Sequence, residues 1–357
     1  MTGMHARRFD SVDALRGITV AAMLLVNNPG DWSHVYAPLL HAHWHGCTPT
    51  DLIFPFFLFV VGVSIALGIV PRVEAGGALG GLRGRIAWRA LKIVLLGLAL
   101  HAVAMWCLDK PHFRPWGVLQ RIGLCFFAAG LLATWARPLS LGALAIGLLL
   151  ADWALMAPSG YAPFTNLASR LDTALLGPLV YEFDPATGLG HDPEGLLSTL
   201  PALATTLLGV VAGQWLRLGR SAWLPVAGLM LLVLGAAWSP WLPFNKNLWT
   251  PSFVLWTAGW ALLGLWLFHQ LIDRRGLPPL GKAFGINAIT VYAGSALMVY
   301  ALAGLGWWET IYRVGFADWM TPRFGPKLPS LAFALAFVGV WWCVARWMQR
   351  RGLVIKI

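Results

Sequence analysis

The stretch HAHWHG, residues 41–46, sets three histidines and a tryptophan in six positions, and DLIFPFFLFVVGVSIALGIV follows from 51. Histidine changes charge near neutral pH, with an unperturbed pKa near 6.5. Such a cluster can move a proton, hold an acyl group or bind a metal. In an extended chain HxHxH turns all three rings to one face. A zinc ion there wants further ligands, with Asp51 and His34 the nearest candidates. Against a metal, the four cysteines (Cys47, Cys107, Cys125, Cys343) are scattered and form no CxxC pair. The reading adopted is no metal. Trp44 then stacks on a sugar or sits at a membrane interface, while His45 and Asp51 hold the loop or an acceptor. A disulfide among Cys47, Cys107 and Cys125 stays open.

The elements that must position these groups follow from composition. Hydrophobic residues make up 58% of 357 positions and charged ones 11%, against about 25% charged in a soluble domain. A chain this apolar cannot cover its own surface in water. Its long runs do not alternate as barrel strands would, so the fold class is an all-α, polytopic membrane bundle. Ten spans are predicted at roughly 14–28, 52–70, 86–107, 117–135, 139–156, 195–216, 222–239, 251–272, 284–303 and 329–348. The segment 304–328 is either an interfacial helix or an eleventh span. No cleavable signal is expected before the first run, no internal repeat is evident, and residues 1–357 read as one transmembrane domain. With the N-terminus inside, 18 of the 26 Lys and Arg fall on the cytoplasmic side, with only four acids (Asp10, Asp13, Glu74 and Asp273). The net charge of +11 therefore records topology rather than nucleic-acid binding, with both termini cytoplasmic. The HAHWHG cluster, the loop 157–194 and the loop 240–250 then face outward.

Four groups of residues together resemble one family. They are RFDSVDALRGITVAAMLLVNNPG (8–30), HAHWHGCTPTDLIFPFFLFVVG (41–62), PWGVLQRIG (115–123) and the set DPEGLLSTLPA, PFNKNLWTPSFVL and GINAITVY. They resemble the heparan-α-glucosaminide N-acetyltransferase family of transmembrane acetyltransferases, which includes bacterial members associated with N-acetylglucosamine use. The resemblance implies transfer of an acetyl group from cytoplasmic acetyl-CoA to the amine of a terminal glucosamine across the membrane. It implies an inner-membrane location and a homodimer. It makes His41 the essential histidine and Asn27, at the outer end of the first span, the essential asparagine.

The chemistry of these residues agrees. Amide formation from a thioester needs a base to take the amine's proton, and His41 can do this. Alternatively His41 attacks first and carries the acetyl group as an acyl-imidazole. The Asn27 amide can donate to the thioester oxygen as charge develops. At the inner mouth Arg8 and Arg16 suit phosphates, with Arg89 and Lys92 adding charge. Arg16, inside an apolar run, needs a partner or a wet cavity; Asp13, three residues earlier on the same face, is the structural alternative. Arg121 lies inside the fourth span, where it can neutralise an acid or touch the pantetheine arm. Asn287 serves helix packing or the coenzyme channel. On the outer side Trp44, His45, Asp51, Asp184, Glu194, Asn245, Lys246, Asn247 and Trp249 are the candidate acceptor groups, carboxylates for a protonated amine and Trp and Asn for the sugar. Two other functions remain: O-acylation of a surface polysaccharide or lipid, and proton-coupled transport of a sugar or anion with His41 in a proton relay.

Overall fold

The structure is a computed structural model that describes residues 9–76 and 78–355; Arg8 lies outside them. Nearly all of the regular structure is helical, as the uninterrupted apolar runs require. In chain order come α1 (Asp10–Asn27), α2 (Ile53–Gly68), α3 (Val70–Glu74), α4 (Leu79–Cys107), α5 (Val118–Leu132), α6 (Pro138–Met156) and α7 (Leu167–Leu176). A short antiparallel hairpin follows, β1 (Glu182–Asp184) with β2 (Leu189–His191). Then come α8 (Thr199–Arg217), α9 (Trp223–Trp238), α10 (Pro251–Phe268), α11 (Lys282–Ile286), α12 (Ala288–Gly304), α13 (Trp307–Tyr312), α14 (Asp318–Phe324) and α15 (Lys327–Arg350).

Among the described residues six helices are long and apolar enough to cross a membrane, at Pro49–Glu74, Leu79–Cys107, Leu139–Ser159, Thr199–Arg217, Pro251–Arg274 and Lys327–Arg350. A seventh arises if α12 and the helical stretch 307–324 count as one broken span, but these are bent by 94°. That bend falls where the sequence left an interfacial helix or an extra span open. The other expected spans coincide with α1, α5 and α9. The last two have only 15 and 16 residues, and α1 carries Asp10, Asp13 and Arg16 in its first two turns.

At the centre α2 packs against α8, α1, α5 and α10. The α2–α8 crossing is close because both helices put glycine there. A Cβ at Gly62 would sit 1.9 Å from the Thr206 carbonyl oxygen, and one at Gly209 would sit 2.0 Å from that of Phe59. In lipid, where no hydrophobic force drives helices together, such backbone approach supplies the packing. A cap of α7 and the β1–β2 hairpin covers one end of the bundle. It starts on Asn166, whose side chain accepts from the Ser169 N–H at 2.9 Å. All four cysteines are free, so the disulfide left open by the sequence is absent.

Candidate functional site

The HAHWHG loop is pinned from both sides. Thr48 and Asp51 form a reciprocal cap at the start of the helical turn Pro49–Leu52. Asp51, 1% exposed, accepts from the Ala42 N–H (3.0 Å), the Thr48 N–H (2.9 Å) and the Thr48 hydroxyl (3.1 Å) through one carboxylate oxygen. Its other oxygen lies 2.7 Å from Nδ1 of His41. A carboxylate only accepts, so Nδ1 carries a proton, and in the neutral ring the lone pair is then on Nε2. Residues 43–46 form a bend, not the extended run that would align three rings. His45 instead lies 3.3 Å from the Asn245 amide nitrogen, and burial pushes its pKa down. Among the described residues no group of three or more His, Cys, Asp or Glu is disposed to hold a metal.

The Gly46 N–H donates to the Phe244 carbonyl at 2.7 Å and ties this loop to PFNKNLW. There Asn245 accepts from the Leu248 N–H at 2.8 Å, and Trp249 is held in the left-handed region (φ 55°). This tight turn presents Lys246, whose Nζ stands 3.3 Å from each ring nitrogen of His41. Burial lowers the Lys246 pKa, and Glu194 and Asp51 only partly restore it.

These groups open on a cavity of about 340 Å³. Its wall includes Asn27, His41, His43, Trp44, Asp51, Glu194, Lys246 and Asn247. Asn27 is the last residue of α1, and its side-chain amide has no hydrogen-bond partner among the described residues. Trp44 gives its indole N–H to the Tyr161 carbonyl at 2.8 Å and packs edge-on against His191, 5.0 Å between centroids. The cap thereby fixes one wall.

Glu194 is fixed by a residue that the sequence analysis passed over. Arg114 grips Asp192 through two nitrogens (2.9 and 2.5 Å) and reaches Glu194 at 2.6 Å, with its guanidinium over the Tyr181 ring. Burial alone would raise the Glu194 carboxyl, but Arg114, Arg121 and Lys246 outweigh it and hold it below the usual range. The signal was an arginine in a loop expected to face outward, against the charge bias, one position before the quoted PWGVLQRIG.

A second cavity of about 380 Å³ is lined by Arg16, Arg72, Arg89, Ser64, Asn287 and neighbouring apolar residues. Arg16 contacts Asp13 (3.1 Å), the Gly285 carbonyl (3.1 Å) and the Ser64 hydroxyl (2.6 Å). Arg89 lies over the Phe126 ring at 5.1 Å. Asn287 donates to the Leu353 carbonyl (3.1 Å) and accepts from the Ile355 N–H (3.3 Å), so the tail forms part of the wall. Lys92 stands one turn beyond Arg89 but not on the wall. Both cavities run along α1, α2, α5 and α12, and Phe57, Ile122 and Ile289 belong to both walls. On α1, Arg16 and Asn27 are eleven residues apart, about 16 Å of helical rise. One helix thus joins a basic chamber to the chamber of the imidazole.

Seven candidates among the described residues lie off both walls: Asp13, which pairs with Arg16; Lys92; His45 and Asn245, which contact each other; and Asp184, Trp249 and Arg121. Asp184 is at the exposed hairpin tip, accepting from the Ala186 N–H and Thr187 hydroxyl of its own turn. Trp249 is 1% exposed and gives its N–H to the Thr205 hydroxyl at 3.1 Å. Arg121 is fully buried, with the Ser198 hydroxyl at 2.5 Å, the Gly195 carbonyl at 3.1 Å and the Trp249 ring 5.2 Å away. Both knit α5 to the segments beneath the cavity.

The chain is 29% identical over 351 residues to human heparan-alpha-glucosaminide N-acetyltransferase, covering 80% of this chain and 52% of that protein. It is 28% identical over 357 residues to the mouse protein of that name, covering 82% and 54%. The chain therefore spans about half the length of the curated relatives it matches. Residues 8–236 match the family model described as heparan-alpha-glucosaminide N-acetyltransferase, catalytic, and the chain belongs to that family.

Proposed function

We propose that this protein is a membrane acetyltransferase that moves an acetyl group from acetyl-CoA, taken from the cytoplasm, to the amine of glucosamine or a glucosamine-terminated saccharide on the periplasmic face of the inner membrane. The observation that supports this most is the pair of cavities meeting at Phe57, Ile122 and Ile289, one basic and one holding the His41–Asp51 pair. The charge bias of the loops turns the basic chamber inward, and ten spans with both termini inside complete the topology. Arg16, Arg72 and Arg89 suit the phosphates of the coenzyme, and the apolar residues common to both walls suit its pantetheine arm.

The Glu194 carboxylate draws the acceptor's ammonium into the outer chamber, and Trp44 and Asn247 face the sugar. The acceptor amine replaces the Lys246 Nζ beside His41. The ammonium first releases one proton to solvent. Nε2 then takes a second as the free amine nitrogen attacks the thioester carbonyl, and as the carbon–sulfur bond breaks the imidazolium returns that proton to the departing CoA thiolate. The Asn27 amide donates to the oxygen as it gains charge, a contribution of about 3 kcal/mol for one well-placed donor. Asp51 stabilises the imidazolium that results.

The test uses purified protein, acetyl-CoA and glucosamine in detergent, where no gradient exists. Formation of the N-acetyl product with equimolar CoA release supports the assignment. Gradient-dependent uptake in vesicles without CoA release would replace it with transport. His41→Ala should abolish transfer while acetyl-CoA titrations stay within about twofold; retained transfer removes His41 from the chemistry.

A further inference from the structure

We propose that Lys246 is a self-acetylation site: when acetyl thioester is bound and no acceptor is present, its own amine takes the acetyl group and the protein is inactivated. This rests on the acetyltransferase reading above and adds a modification that turnover does not need.

The argument starts from position. A primary amine is the functional group the acceptor brings, and Lys246 Nζ is a primary amine 3.3 Å from both His41 nitrogens. It is on the wall of the cavity that also holds Asn27. The side chain is presented by a turn locked through Asn245 and the Gly46–Phe244 bond, so its approach to His41 is built into two pinned loops. Among the described residues no carboxylate lies within ion-pair distance of its Nζ, whereas Lys282 is bound to Asp10 at 2.7 Å. Burial favours the uncharged amine, which is the nucleophilic form.

The step balances without an added reactant beyond the thioester. The Nζ lone pair attacks the carbonyl carbon and His41 removes the nitrogen's proton. The carbon–sulfur bond breaks, and the coenzyme leaves as a thiol carrying that proton. The products are Nζ-acetyl-lysine and free CoA. An amide, unlike an acyl-imidazole, is not turned over by a second amine. The acetylated side chain also fills the space beside His41 that an acceptor amine must enter. Acceptor binding protects, because its amine displaces Nζ from the imidazole.

The experiment incubates the full chain in detergent with isotopically labelled acetyl-CoA, with and without saturating glucosamine. Acetylated peptides are mapped and residual transferase activity is measured. One hydroxylamine-stable acetyl per chain is expected on Lys246, formed at least about tenfold faster than on Lys92, Lys110 or Lys282. Activity should fall in step with labelling, and glucosamine should protect. In Lys246→Arg the label should vanish, and in His41→Ala its rate should fall about a hundredfold, the usual contribution of a positioned base. A preparation that acetylates glucosamine yet leaves Lys246 unmodified overturns the proposal, as does equal labelling of the other lysines or labelling that glucosamine does not slow. Failure to acetylate either glucosamine or itself, with acetyl-CoA bound, overturns the underlying reading and this inference with it.

Discussion

Replacing Asp51 by Asn tests how the carboxylate and the imidazole divide their work. The carboxylate oxygen that serves Ala42 and Thr48 can be replaced by the amide oxygen, so the cap and the loop persist. The atom facing His41 then becomes an NH₂ donor, where an acceptor stood 2.7 Å from Nδ1. Nδ1 must give up its proton to receive that donor, which moves the proton to Nε2 and blocks it as a base. Restoring the working tautomer sacrifices a hydrogen bond worth about 1.5 kcal/mol. The imidazolium formed during transfer also loses its counter-charge. At a charge separation of about 4 Å and an effective dielectric near 20 that is about 4 kcal/mol. The ring is 46% exposed, so solvent screens roughly half, leaving about 2 kcal/mol. Together about 3.5 kcal/mol is lost from the transition state, a fall of roughly 300-fold in kcat. The assay is steady-state acetylation of glucosamine, with acetyl-CoA affinity and thermal midpoint measured alongside. Activity within about fivefold of the parent in a folded Asp51→Asn protein would refute the assignment of tautomer and charge to Asp51.

Arg89→Ala, which removes a guanidinium from the basic chamber, should raise the acetyl-CoA Kd about tenfold, the effect of one charged hydrogen bond, and leave the acceptor KM unchanged. Arg16→Ala should do the same and also lower the thermal midpoint, since Arg16 serves Asp13, Gly285 and Ser64 as well; unaltered acetyl-CoA titrations would leave it a structural partner of Asp13. Burial pushes the His191 imidazole down to about 4. The folded cap therefore binds fewer protons than the unfolded chain between pH 4 and 6.5, and its stability is complete above 6.5 and falls on acidification, by up to ~3 kcal/mol. Asp172, pushed up to about 6 by burial, acts in the opposite sense. It is common to both proteins when His191→Gln is compared with the parent, so their difference isolates the imidazole. Hydrogen exchange of α7 should stay protected to lower pH in the variant; parallel loss in both would contradict the sign.

Much of the bundle was legible because an apolar run in lipid has few options besides helix. The limits showed where charge or brevity enters. α1 begins with Asp10, Asp13 and Arg16, and α5 and α9 are short, so neither length nor hydropathy alone marks them as spans. The site was legible where its parts are neighbours in the chain. Asp51 and His41 are ten residues apart and meet through a local turn. Arg114 was missed because its partners, Asp192 and Glu194, lie 78 and 80 residues away, a distance over which no periodicity speaks. Trp249 shows the converse limit. Beside Asn247 and Lys246 in PFNKNLW it reads as a sugar-facing ring, yet a left-handed backbone turns it under Arg121 and into the core.

If the two cavities open on opposite sides of the membrane, as the proposed function requires, the shared wall of Phe57, Ile122 and Ile289 bears on a danger inherent in linking two compartments. Water standing in both chambers would make the protein a leak, short-circuiting whatever proton or sodium gradient the bilayer maintains. Three hydrocarbon side chains at the junction offer a hydrated ion nothing to replace its solvent shell, so such a neck excludes it by dewetting. A slender, largely apolar thioester arm meets no comparable barrier. On that reading the apolar residues common to both walls pass the acyl group and insulate the membrane at once.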